Sequence, residues 1–156
     1  MKKCPGHDCP HHALARRSLL KGGVAGSVLL ALPVACNNGV TPPSGPVAAG
    51  NVSSIVVGSL LAVGGEAVVL GRDADGLYAM SAACTHAGSM VSVVSAGGVE
   101  ELSCPCHGSL FDANGEVTRG PARAPLPHFQ VDVASDGSIT IQGGIPVAAD
   151  ARTAVP

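Results

Sequence analysis

Tryptophan is absent from this 156-residue chain, and aromatic residues of all kinds make up only 2% of it. A core without large rings has to be filled by Val, Leu, Ile and Ala. Charge is scarce too, at 13% of residues, and the mean hydropathy of +0.37 raises the question of a membrane protein. A spanning helix needs roughly 20 consecutive apolar residues, whereas the apolar stretch near the start, residues 22–35, has 14. Beyond it no segment shows a helical apolar period, which excludes a bundle. No internal repeat is present, and no nucleophile with a paired base can be found, which argues against a self-standing hydrolase or transferase. What is plentiful is Gly, 21 residues, and Pro, 12 residues. Both punctuate turns and loops, so the expected fold class is all-β.

Arg16 and Arg17 precede Ser18-Leu19-Leu20-Lys21 and the apolar stretch, the layout of an export signal with a basic head and a short apolar body. The string RRSLLKG resembles a twin-arginine signal, a receptor-read address rather than an anchor. An ordinary secretory signal or a short anchor is the simpler alternative. The stretch ends in LPVAC at Cys36, which resembles a lipobox, with Pro33 where an aliphatic residue is usual. A lipidated Cys36 would tether the protein to a membrane by acyl chains; cleavage by an ordinary signal peptidase would leave it soluble. Residues 1–35 are therefore read as the signal, and the chain as exported, either periplasmic or membrane-anchored facing the periplasm. The upstream cluster Cys4, His7, Cys9, His11 and His12 would be removed with the signal.

From Cys36 onward the chain keeps four arginines against ten carboxylates, a net charge of −6. Such a domain repels nucleic acid, and it would be steered toward a basic redox partner such as a basic cytochrome. Acidity that merely keeps the domain soluble is an equal alternative.

Residues 36–50, including TPPSGPVAAG, read as a linker, residues 51–144 as one domain, and residues 145–156 as a loose tail. Within the domain, short apolar runs alternate with turn signals. Residues 66–72 and 77–82 flank Asp73-Ala-Asp-Gly76, and residues 90–94 and 99–103 flank Ser95-Ala-Gly-Gly98. Residues 109–111 and 116–118 flank Asp112-Ala-Asn-Gly115, and residues 129–133 and 138–142 flank Ala134-Ser-Asp-Gly137. Each group predicts a hairpin.

Two segments carry chemistry: Cys84-Thr-His-Ala-Gly-Ser89 and Cys104-Pro-Cys-His-Gly-Ser109. Each follows a predicted strand and lies where Gly or Pro demands a tight loop. Two loops offering one thiolate and one imidazole apiece can converge on one metal centre. Two Cys and two His also suit structural zinc, although its usual spacing differs.

The pattern C-x-H, then 17 residues, then C-x-x-H, with Gly120-Pro121-Ala122 downstream, resembles the Rieske iron–sulfur family from about Val52 to Gln142. The resemblance implies antiparallel β-sheets with a two-loop cluster-binding subdomain, and one [2Fe–2S] cluster per chain. It implies Cys84, His86, Cys104 and His107 as ligands, two thiolates on one iron and two imidazoles on the other. Neutral imidazoles leave the cluster less negative than four thiolates would, so it accepts an electron more readily.

Around those ligands, Ser109 matches a family serine that donates toward a cluster sulfur. Phe111 stands where high-potential members carry Tyr, and Gly120-Pro121 matches a loop beside the cluster. Those members also join the positions of Ser89 and Cys106 by a disulfide, which Ser89 forbids; Cys106 is not a ligand in the family. One sulfur donor kept and one lost places the potential mid-way in the roughly −150 to +300 mV Rieske range. Exposed imidazoles would couple their deprotonation to oxidation. His128, just before a strand, reads as structural or exposed. The function implied is one-electron transfer, by a periplasmic carrier or by the small subunit of an oxidoreductase such as arsenite oxidase or a cytochrome bc-type complex. Its partners would be redox proteins, including an oxidoreductase large subunit, and not nucleic acid.

Overall fold

The computed structural model describes residues 39–155. Two antiparallel sheets account for nearly all of its regular structure, and the one helical piece among the described residues is a 3₁₀ turn at Val52–Ser54. The larger sheet has six strands: β1 (Pro46–Asn51), β2 (Ser59–Ala62), β3 (Val68–Arg72), β4 (Leu77–Ser81), β9 (His128–Val133) and β10 (Ser138–Val147). Their order across the sheet is β1-β10-β9-β4-β3-β2. The smaller sheet has the order β5-β6-β7-β8, from β5 (Ser92–Ala96), β6 (Val99–Ser103), β7 (Leu110–Phe111) and β8 (Val117–Arg119). It is inserted between β4 and β9.

Side chains alternate across a strand, and here both faces of the central strands are covered. Val68 and Leu70 of β3, with Leu77 and Ala79 of β4, join Phe129, Val131, Ile139 and Ile141 in one apolar layer. The intervening Val69, Tyr78 and Met80 join Leu102, Phe111 and Leu126 in a second layer, which also contains Cys84 and Cys104. Burial on both faces is why these strands read as continuous apolar runs rather than as alternating ones. The second layer runs from the large sheet into the small one and carries the two thiols at its end. At the edge, the Glu100 carboxylate of β6 accepts the Leu60 N–H of β2, binding the sheets to each other.

The four predicted hairpins all form. One is shifted: β5 continues to Ala96, and Ala96 pairs with Val99. Its turn is therefore Gly97-Gly98 alone, both at positive φ (62° and 87°), the backbone that a two-residue primed turn requires.

Two boundaries differ from the sequence reading. The expected linker contains β1, whose Val47 and Ala49 are buried and which pairs with β10. An edge strand is held by backbone bonds that small residues supply as well as large ones, so Pro, Ala and Gly did not prevent it. The expected loose tail is also fastened. β10 runs to Val147, and Leu77 and Thr153 exchange backbone bonds of 2.9 and 2.8 Å. The Arg152 guanidinium meets Asp73 at 2.6 Å and Asn114 Oδ1 at 2.8 Å, and lies 4.0 Å over the Tyr78 ring. The signal and lipidation readings, with Cys36 and the upstream Cys/His cluster, fall outside the described residues.

Candidate metal centre

Loop 1 (residues 84–89) leads from β4 toward β5, and loop 2 (residues 104–109) joins β6 to β7. They repeat one design. In loop 1 the Cys84 N–H donates to Ser89 O at 2.9 Å and the Gly88 N–H to Cys84 O at 2.8 Å. In loop 2 Cys104 and Ser109 are joined at 2.9 Å, and Gly108 and Cys104 at 3.0 Å. Gly88 and Gly108 adopt φ of 73° and 76°, a region that other residues resist. Each loop thus turns its cysteine inward and its histidine outward.

The four residues singled out from the sequence separate into two pairs. Cys84 and Cys104 are 2% and 1% exposed and lie in the apolar layer. Burial pushes the Cys104 thiol up, and its contact with the Cys84 thiol pushes it further. His86 and His107 are exposed, with ring centroids 4.7 Å apart and planes at 80°. Among the described residues no three His, Cys, Asp or Glu side chains form a group suited to a single ion. Sulfur pairs with sulfur and nitrogen with nitrogen.

A third segment crosses both loops. Thr85 Oγ1 of loop 1 donates to Ala124 O at 2.6 Å, and the Ala122 N–H donates to Ser109 Oγ of loop 2 at 3.0 Å. Arg119 Nε donates to Gly108 O at 3.0 Å. The Gly120-Pro121 bond within this segment is cis. Sequence reasoning picked out Gly120 and Pro121 but missed Thr85, Arg119 and Arg123. The available signal was position, because Arg119 and Arg123 flank the GPA triplet.

Ser109 and Phe111 are both 0% exposed, and Phe111 is part of the apolar layer that holds the thiols. Cys84 and Cys104 form no disulfide. Ser89 is buried, and its Oγ has no hydrogen-bond partner in the structure. Buried hydroxyls nearly always have a partner, so an orphan in the loop that carries Cys84 and His86 leaves a place for a bound acceptor.

Residues 46–130 match the Rieske [2Fe-2S] domain. The chain belongs to the Rieske family.

It is 44% identical over 75 residues to the cytochrome b6-f complex iron-sulfur subunit of Synechococcus sp. (strain WH7803), covering 48% of this chain and 41% of that protein. The chloroplastic subunit of Volvox carteri is 44% identical over 63 residues, 40% of this chain and 30% of that one. The match therefore spans less than half the length of these relatives. Among solved structures, the ferredoxin of carbazole 1,9a-dioxygenase from Nocardioides aromaticivorans IC177 shares 30% identity at a TM-score of 0.45, over 64% of this chain and 98% of that one. The plasma membrane Rieske protein of Synechocystis PCC 6803 shares 26% at a TM-score of 0.43, over 62% and 98%.

The cofactor of this Rieske domain is a [2Fe–2S] cluster, and its chemistry is electron transfer. Two buried sulfurs, two exposed imidazoles and an orphan hydroxyl are a donor set that fits such a cluster.

Proposed function

We propose that Cys84 and Cys104 hold one iron and His86 and His107 the other, one cluster per chain, and that the domain carries single electrons between redox proteins outside the cytoplasm. The observation that carries this reading is the two-plus-two arrangement: thiols at the end of the core, imidazoles 4.7 Å apart at the surface. When bound, the cluster supplies one-electron chemistry at a potential in the middle of the roughly −150 to +300 mV Rieske range. The chain's own residues do the rest. The apolar layer keeps water from the sulfurs, the crossing segment fixes both loops, and the imidazoles form the exposed edge nearest a partner. Loading must displace the thiol protons, so uptake of the cluster should release protons.

The RRSLLKG string at Arg16 and the LPVAC segment at Cys36 support a carrier facing the periplasm, exported by a twin-arginine-like route and tethered by lipid at Cys36. No helix among the described residues is long and apolar enough to cross a membrane. A second reading, an iron–sulfur subunit of a larger cytochrome bc-like or b6-f-like oxidoreductase, is favoured by relatives named as subunits of the cytochrome b6-f complex. Structural zinc fits poorly, since one ion needs all four donors around one point.

Low-temperature EPR of the reduced protein tests the assignment. A rhombic signal with nitrogen coupling from two histidines is expected, abolished by Cys84→Ser or Cys104→Ser. A colourless protein binding zinc at these side chains would overturn it. Co-purification of a large partner would turn the carrier into a subunit.

A further inference from the structure

The domain is acidic, yet the three segments around the histidines are not. Loop 1, loop 2 and residues 119–125 together contain Arg119, Arg123, His86 and His107 and no carboxylate at all. All ten carboxylates that follow Cys36 lie elsewhere. The other two arginines of this part of the chain are committed away from this end. Arg72 donates to Val52 O and Ile55 O at 3.2 and 2.8 Å, and Arg152 is bound to Asp73.

Arg119 and Arg123 are both exposed. Arg119 is anchored by its Nε to Gly108 O, in the residue next to His107. Arg123, with Thr85, His86 and Pro121, lines an open depression of about 360 Å³ beside the other histidine. Each imidazole therefore has a guanidinium close by. At 0.1 M salt the Debye length is about 10 Å, so a body docking on this end is governed by the charges nearest the contact, and Arg119 and Arg123 are exposed there. Guanidinium groups also match carboxylates in a bidentate fork.

We propose that the histidine-bearing end docks on a carboxylate-rich face of a redox protein, with Arg119 and Arg123 supplying the pairing charges. This rests on the reading of His86 and His107 as the electron's exit, and it reverses the basic partner that the net charge alone suggests.

The test is stopped-flow oxidation of the reduced, cluster-loaded protein by cytochrome c, used in its native lysine-rich form and with its lysines succinylated. The succinylated form and this domain are both net negative, so whole-body charge predicts a rate that rises with salt. The local surface predicts the opposite: a rate with the succinylated form that falls several-fold as salt is raised. In R119Q/R123Q the slope should reverse sign. R123Q alone should lose part of the effect, and it leaves the bond to Gly108 untouched; R119K should retain it. A rate that rises with salt in the unmodified protein, or a slope unchanged in the double variant, overturns the proposal. So does Arg-dependent sedimentation with phosphatidylglycerol vesicles together with a slope that does not depend on the arginines, which would assign the face to anionic lipid. EPR separates the two levels. An absent cluster sinks the Rieske assignment, whereas an intact cluster with the wrong salt slope sinks only the docking surface.

Discussion

The Ser109 hydroxyl accepts the Ala122 N–H at 3.0 Å and keeps its own proton to donate. A donor to a cluster sulfur stabilises the reduced, more negative state and so raises the potential. A hydrogen bond contributing about 1 kcal/mol to the reduced state shifts a one-electron couple by about 40 mV. Ser109→Ala should therefore lower the midpoint by at least that much, and Phe111→Tyr should raise it by a similar amount; protein-film voltammetry reads both. A Phe111→Tyr midpoint at or below that of the parent would show that position 111 only packs. His128 presents a different residue-scale effect. It is 4% exposed, with Nδ1 3.2 Å from Leu126 O and Nε2 without a partner in the structure. Burial holds its pKa below the usual 6.5. The unfolded chain then takes up a proton near pH 6.5 that the folded chain refuses. The contribution of neutral His128 is complete above that pH and is lost as pH falls toward the lower, folded value. Urea midpoints at pH 7.5 and 5.5 should differ less in His128→Gln than in the parent; equal differences would place the acid sensitivity elsewhere.

At the scale of elements, the hairpins were legible because their turns need particular residues. Gly97-Gly98 and the Asp-x-x-Gly turns announce themselves in the sequence. β1 and the fastening of the tail were not legible, since backbone pairs such as Leu77 with Thr153 ask nothing specific of side chains. The same contrast runs through the site. The C-x-H and C-x-x-H loops stood out because ligand chemistry restricts both residue type and spacing. In the segment that crosses them Gly120 and Pro121 were legible but its bonds to the loops were not, because Thr85 and Arg119 pair with main-chain carbonyls, which every residue provides. This segment should behave as one unit with the loops. Removing the cluster should raise hydrogen exchange in loop 1, loop 2 and residues 119–125 together, and leave β3, β4 and β9 protected. Uniform exchange across both sheets would mean that the cluster holds up the whole domain.

Across the whole molecule, one side chain joins three parts. Arg152 in the tail reaches Asp73 in the β3–β4 turn and Asn114 in the β7–β8 turn, and covers Tyr78. Tyr78 in turn donates to Ala113 O at 3.0 Å, so the small sheet is held to the large one by two contacts at the end away from the loops. Hydrogen bonds to a charged group and a cation–π contact together suggest a loss of about 2 kcal/mol for Arg152→Ala, discounted from their sum because the Asp73 side chain is 34% exposed. Urea unfolding of the loaded protein measures it; an unchanged midpoint would mean that the tail only rests against the sheet.

At the other pole the Val40 N–H donates to Gly88 O at 2.7 Å, so the backbone enters the domain alongside the first histidine's loop. Loop 1 is therefore moored on two sides, by residue 40 at Gly88 and by Ala124 at Thr85, and a disturbance of either mooring should be felt at His86.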